Sequence, residues 1–262
     1  MSAYLGIDIG SRVVKVVLVN GNGTVLASAL APAGVDGPAV AGGLIPRACN
    51  EARISPAEIG YTVVTGYGRV RFSDADAEVS EITCHARGAR QLVPGARTVI
   101  DIGGQDSKVI ALDGQGRVAD FCMNDRCAAG TGRFLEVTAE AIGLRVEELA
   151  AEHARACRPV TISSTCTVFA ESEVISHLAR GTPRSEIVAG LHQAIASRLV
   201  GLAARVGLTP VVVCTGGVAL NTGVVAALEA IGKVAIVVPP YAQMAGALGA
   251  ALIAAARATE RR

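Results

Sequence analysis

Two short stretches place a carboxylate and a glycine where an apolar run ends. Asp8-Ile9-Gly10-Ser11 closes the run from Tyr4 and is followed by Lys15. Asp101-Ile102-Gly103-Gly104-Gln105-Asp106 closes the run from Thr98. A strand carries the carboxylate to its end, and glycine, having no Cβ, lets the backbone approach a phosphate. Ser11 adds a hydroxyl and Lys15 a point charge. Two glycine hairpins of this kind can clamp a nucleotide triphosphate, and Asp8 and Asp101 can hold Mg²⁺ through its waters. Gln105 is of the type that orients a hydrolytic water in phosphoryl-transfer sites. One Asp-x-Gly alone reads as a strand closure. Two copies and a third glycine turn, Gly216-Gly217, turn the reading toward nucleotide chemistry. The sequence has no G-x-x-x-x-G-K-[ST], which excludes a P-loop.

The seven cysteines fall at 49, 84, 122, 127, 157, 166 and 214. Their odd number and the absence of a signal-peptide pattern at the N-terminus argue against a disulfide framework. Cys127 precedes Ala128-Ala129-Gly130-Thr131-Gly132, which reads as the approach to a helix. Cys166 follows Ser163-Ser164-Thr165, which read as capping residues of another helix. The positive end of a helix favours a thiolate or an anionic iron–sulfur cluster. By spacing alone two readings stay open. Both cysteines can be buried thiols, or they are half of a four-thiolate set that a twofold dimer completes. Cys84-His85 reads as the packed start of a helix. Cys49, Cys122, Cys157 and Cys214 read as core or surface thiols.

These residues need a frame. Tyr4–Ile9 and Val13–Val19 read as strands, with Gly21-Asn22-Gly23 turning into a third, Thr24–Leu26. A loop rich in Ala, Pro and Gly follows, then a weak helix over Ala39–Glu51 and a strand over Tyr61–Thr65. The pattern restarts with strands at Thr98–Ile102, Ser107–Leu112 and Val118–Met123. An order repeated from residues 4 and 98 points to two related α/β domains. Helices are expected over Thr131–Ile142, Ser172–Leu178, Ser185–Val206 and Gln243–Ala256, and strands over Pro210–Cys214 and Val234–Val238.

The composition narrows the function further. In 262 residues, 24 basic and 23 acidic side chains give a net charge of +1, so there is no basic footprint for nucleic acid. Aromatics make up 3%, with no Trp, so base-stacking platforms are not expected. Residues 206–228 and 234–256 are uncharged and long enough to span a bilayer. Pro210, Asn221, Pro239, Pro240 and Gln243 make them buried pieces rather than membrane spans.

The whole chain resembles the ATP-dependent activators (component A, or archerase) of 2-hydroxyacyl-CoA dehydratases. The wider group includes the ATPase subunits of benzoyl-CoA reductases. The matching stretches are 5–11, 65–69, 99–106, 123–135, 162–175, 215–219 and 246–252. The two cysteine stretches are the specific ones; the glycine turns alone match the wider superfamily of sugar kinases, heat-shock chaperones and actin. The resemblance implies an α/β, two-domain actin-like ATPase fold with ribonuclease H-like domains. The first domain would span 1–96, with a C-terminal helix of about 243–262 packed back on it, and the second 97–242. It implies a cytoplasmic homodimer with one [4Fe-4S] cluster held by Cys127 and Cys166 of each chain. ATP or ADP and Mg²⁺ would sit in the cleft between domains. Asp8, Gly10, Ser11 and Lys15 match the first phosphate motif, Asp101, Gly103, Gly104 and Gln105 the second, and Gly216, Gly217 and Asn221 the adenosine motif. An upstream ferredoxin or flavodoxin would reduce the cluster. The electron would pass to a dehydratase in a transient complex driven by ATP, with no nucleic acid and no membrane involved. Helices starting at Cys127 would feel nucleotide binding. The alternatives are an ATPase subunit of a benzoyl-CoA-type reductase and a small-molecule kinase, for an amino sugar, of the same superfamily.

Overall fold

The computed structural model describes residues 3–124, 127–163 and 166–260. They divide into two compact units. The first comprises residues 1–96, 112–118 and 239–262, and the second residues 97–111 and 119–238.

The first unit begins with β1 (Ala3–Ile9), β2 (Val13–Val19) and β3 (Val25–Pro32), followed by helix α1 (Gly37–Ala52). Strand β4 (Ile59–Thr65), the two-residue β5 (Ala77–Glu78) and helix α2 (Glu81–Leu92) come next. The sheet order is β3-β2-β1-β4-β5. β1 is antiparallel to β2 and parallel to β4, and every one of its residues is buried, as befits a central strand. β3 extends well past the expected Leu26. Its Ala-rich tail has poor strand propensity, but it pairs with β2 all the way to Val13↔Pro32. As the edge strand it also tolerates a terminal proline. Asp36 caps α1 through the Ala39 N–H, and Pro38 stands in its first turn.

The second unit holds β6 (Thr98–Ile102), β7 (Ser107–Leu112), β8 (Val118–Asn124) and helices α3 (Gly132–Ala141), α4 (Leu149–His153), α5 (Thr167–Ala179) and α6 (Arg184–Ala203). Strand β9 (Val212–Thr215), helix α7 (Thr222–Gly232) and the two-residue β10 (Ile236–Val237) complete it. Its sheet order, β10-β9-β6-β7-β8, is that of the first sheet with each strand replaced by its counterpart. β6 is antiparallel to β7 and parallel to β9, as β1 is to β2 and β4. The repeat read from residues 4 and 98 is therefore a repeat of whole sheets. Along α6 the periodic residues Ile187, Val188, Leu191, Ile195, Leu199 and Ala203 are all buried.

Helix α8 (Ala245–Glu260) belongs to the first unit and packs on β1, β2, β4 and α2. It crosses α2 where both helices lack side chains. A Cβ on Gly249 would fall within 2 Å of the Cys84 carbonyl oxygen, and one on Gly88 equally close to that of Ala245. Leu248, Ala251 and Leu252 join Tyr4, Val17, Tyr61 and Val63 in the core beneath this crossing. On the other side of the same sheet, Leu5, Ile7 and Ile9 pack with Leu44 and Ala48 of α1. Periodicity does not predict the full lengths of α2 and α7. No helix of the described residues is long and apolar enough to cross a membrane.

Candidate nucleotide and cysteine sites

The end of β1 carries Asp8, buried at 4% exposure. Register places it opposite Lys15 of β2 and beside Thr65 of β4. The Lys15 ammonium donates to Asp8 Oδ2 at 2.9 Å, offsetting the cost of a buried carboxylate. Gly10 and Ser11 form the turn between the two strands. A Cβ on Gly10 would meet the Val13 carbonyl oxygen at 2.8 Å. Gly66, after Thr65, has φ +87°, and a Cβ there would fall 2.4 Å from Asp8 Oδ1. Position 66 therefore demands glycine on two counts, backbone conformation and space. α8 begins against the same carboxylate: a Cβ on Gly246 would lie 3.0 Å from Asp8 Oδ2 and 2.8 Å from His85 Nε2. Cys84 and His85 lie in α2 and are buried. Burial pushes the Cys84 thiol up to about 12, which makes it an inert core group.

The end of β6 repeats this arrangement. Asp101, 2% exposed, stands opposite Lys108 of β7 and beside Thr215 of β9. The Lys108 ammonium donates to Asp101 Oδ2 at 3.4 Å and lies 2.7 Å from Asp106 Oδ2. The Thr215 hydroxyl donates to Asp101 Oδ1 at 2.9 Å. Gly216 has φ +88°, and a Cβ there would fall 2.9 Å from Asp101 Oδ1. Lys108 is a candidate site residue that motif reading missed. The signal was present, because Asp8 to Lys15 and Asp101 to Lys108 have the same spacing of seven residues. Gly103 and Gly104 form the turn, closed by the Gly103 N–H on the Asp106 carbonyl at 2.9 Å, with Gln105 exposed at its tip.

Gly217 opens a short turn of helix that runs to Leu220, and Asn221 caps α7. Asn221 is 8% exposed, and its Oδ1 accepts the N–H groups of Gly223 and Val224. Its Nδ2 is therefore the group that faces His192 Nε2, at 3.4 Å. That fixes the tautomer: Nε2 accepts, so the proton sits on Nδ1 and is donated to His153 Nδ1, 3.0 Å away. Burial, reinforced by His153, pulls His192 down to about 3, and burial lowers His153 as well. The Asn221 side chain thus bonds to the start of α7 on one side and to His192 on the other.

All seven cysteines are thiols. Cys49, Cys84 and Cys214 are buried, Cys157 is exposed, and Cys122, Cys127 and Cys166 are half-buried. The helix expected over Thr131–Ile142 is α3, Gly132–Ala141, so Cys127 stands five residues before its first residue. The intervening chain is instead pinned by side chains and turns: Asn124 Nδ2 donates to the carbonyls of Cys127 (2.9 Å) and Ala129 (3.0 Å). Gly130, with φ +88°, turns the chain into the helix. Cys166 is itself the N-cap of α5. The expected capping residues Ser164 and Thr165 lie outside the described residues. Glu173 of α5 reaches back to accept the Ser163 N–H at 2.5 Å. Helices α3 and α5 pack on each other. Among the described residues no three His, Cys, Asp or Glu side chains gather into a metal set.

The profile of the BadF/BadG/BcrA/BcrD ATPase family matches residues 5–254. The activator of lactoyl-CoA dehydratase from Anaerotignum propionicum is 50% identical over 252 residues, 95% of this chain and 96% of its own. The crystal structure of (R)-2-hydroxyglutaryl-CoA dehydratase component A from Acidaminococcus fermentans superposes with a TM-score of 0.94. Identity there is 46%, covering 99% of this chain and 100% of that one. The activator of 2-hydroxyisocaproyl-CoA dehydratase from Clostridium difficile, with bound ADPNP, gives 0.93 at 45%, covering 99% and 96%. A benzoyl-CoA reductase subunit from Thauera aromatica is similar at a lower level, 38% over 214 residues, 79% of this chain and 76% of its own. At 17% identity a ROK hexokinase from Thermus thermophilus, with a TM-score of 0.56 and coverage of 98% and 99%, shares the fold alone. The fold is thus the α/β actin-like ATPase fold, and the chain belongs to the BadF/BadG/BcrA/BcrD ATPase family.

Proposed function

We propose that the chain is an ATP-dependent activator of a 2-hydroxyacyl-CoA dehydratase, acting as a homodimer in the cytoplasm. It binds and hydrolyses ATP and delivers single electrons to that partner, having received them from a ferredoxin or flavodoxin. Its two actin-like subdomains are residues 1–96 with the C-terminal helix, and 97–242. The observation that carries this reading is the doubled Asp–Lys strand end, in a chain that keeps two half-buried thiols beside the starts of α3 and α5. Similarity to dehydratase activators over nearly the full length supports the same assignment.

In this reading the turns at Gly10-Ser11 and Gly103-Gly104 receive the phosphates, and Gly216-Gly217 the adenosine. Lys15 and Lys108 keep Asp8 and Asp101 as oriented carboxylates. Mg²⁺, bound through waters on these two carboxylates, would neutralise phosphate charge. Exposed Gln105 positions the attacking water.

Among the described residues no three candidate ligands gather in one chain, so a four-thiolate cluster would draw on two copies. The chemistry of the donors fits: both thiols are half-buried, and Cys166 stands at the positive end of α5. Val168 and Phe169, in the first turn after Cys166, and Ile175, further along α5, are exposed apolar side chains, a surface suited to a second copy. A [4Fe-4S] cluster held by Cys127 and Cys166 of each chain would supply the low-potential electron.

The test is purification without oxygen, followed by iron and acid-labile sulfide analysis. The expected content is about two of each per chain, one cluster per dimer, and Cys127→Ala or Cys166→Ala should abolish it. Protein never exposed to air that binds ATP but holds neither iron nor sulfide would sink the activator and leave a small-molecule kinase.

A further inference from the structure

The Gly103–Ser107 turn and the chain after Cys127 are tied by three hydrogen bonds. Ser107 Oγ donates to the Gly130 carbonyl at 2.5 Å. The N–H groups of Gly132 and Arg133, at the start of α3, donate to the carbonyls of Gly103 (2.9 Å) and Gly104 (2.8 Å). Each end of this strap is anchored separately. On one side, Lys108 holds Asp106, whose carbonyl closes the turn on the Gly103 N–H. On the other, Asn124 holds the Cys127 and Ala129 carbonyls, and Arg198 donates to Asn124 Oδ1 at 3.3 Å.

Ser107 and Thr131 are fully buried, and Gly130 is buried. Water therefore cannot replace the hydroxyl's bond to Gly130. The carbonyls of Gly103 and Gly104 face the start of α3, so a phosphate engaging this turn would act on peptide units already bonded there. A phosphate that reorients those peptides must strain or release the bonds to Gly132 and Arg133. The arrangement is a strap of three bonds, few enough to be made or released together.

We propose that Ser107 is a positioning residue of a strap through which nucleotide at the Gly103-Gly104 turn sets the conformation of the Cys127–Arg133 segment. The inference rests on the reading that this turn binds phosphate. It adds a route, inside one unit, from nucleotide to a cluster cysteine.

The experiment is hydrogen–deuterium exchange of the full chain, prepared without oxygen, in ADP and in a non-hydrolysable ATP analogue. Ser107→Ala removes one oxygen and leaves the turn's glycines untouched. In the wild type, exchange within residues 127–135 should differ between the two nucleotides by about 5-fold, the effect of roughly one hydrogen bond. In Ser107→Ala the difference should vanish at 127–135 and persist at 101–107, with ADP affinity held within about 3-fold of wild type. A nucleotide response retained at 127–135 in Ser107→Ala overturns the strap and leaves the activator reading standing. So does a wild type that responds at 101–107 and not at 127–135. A wild type that binds neither nucleotide removes the activator reading and the strap together. Should Ser107→Ala not fold, Asn124→Ala cuts the other anchor, and the same loss is expected at Cys127–Ala129.

Discussion

The first and second units build the same strand end and surround it differently. In each, a buried aspartate closes the central strand, a lysine seven residues on pairs with it, and a threonine–glycine step from the parallel neighbour packs beside it. In the first unit this end is backed by the close crossing of α8 and α2 and an apolar core. In the second it is backed by polar side chains: Lys108 shared between two acids, Thr215 on Asp101, and His192 against Asn221. The shared part is dictated by backbone register, which fixes where a carboxylate can stand. The divergent part lies in what packs behind that strand end. The first unit closes its strand end with tight helix packing, and the second bonds its turn to the start of α3.

The sharpest way to break this comparison is to remove each lysine. Lys108→Met removes the ammonium that Asp106 and deeply buried Asp101 share, and should cost about 3–5 kcal/mol. Lys15→Met removes a partner that is 14% exposed, from one carboxylate that water can reach more easily, and should cost less, about 1–2 kcal/mol. Urea denaturation of both variants decides it; equal losses would mean that the two ends are energetically alike.

The next effect is pH. Folding holds His192 neutral, with its pKa depressed from about 6.5 to about 3. Below the unfolded value the unfolded chain binds the extra proton, so stability is lost as pH falls from about 6.5 toward about 3. Between pH 7.5 and 5 this contributes a loss of about 2 kcal/mol, to be followed by urea denaturation at the two values. His192→Gln should flatten that part of the profile. An unchanged slope would place the acid sensitivity elsewhere.

The smallest effect separates the two threonines. Thr215 donates to Asp101, whereas the Thr65 hydroxyl is buried without a nitrogen or oxygen partner, beside the Cys84 thiol. Thr215→Val should cost about 1–2 kcal/mol, and Thr65→Val should change stability by no more than about 0.5 kcal/mol. A matching loss at both, in thermal melts, would show that Thr65 serves Asp8 as Thr215 serves Asp101.

The sequence by itself determined the two carboxylate–glycine ends, the repeat that carries them, the apolar stripe of α6 and the two specific cysteine stretches. Each is a local pattern, set by strand alternation, helix period or glycine's missing Cβ. Only the tertiary structure decided what stands across a ladder or beneath a turn. β3 runs to Pro32 because β2 pairs with it, against its own propensity. The chain after Cys127 is held by Asn124 and Ser107 rather than by an immediate helix. Asn221 faces His192, 29 residues away in the chain. Thr215 reaches Asp101 across 114 residues. Such contacts leave no periodic trace, because their hydrogen bonds depend on register between distant segments and burial removes the water that would otherwise compete for them.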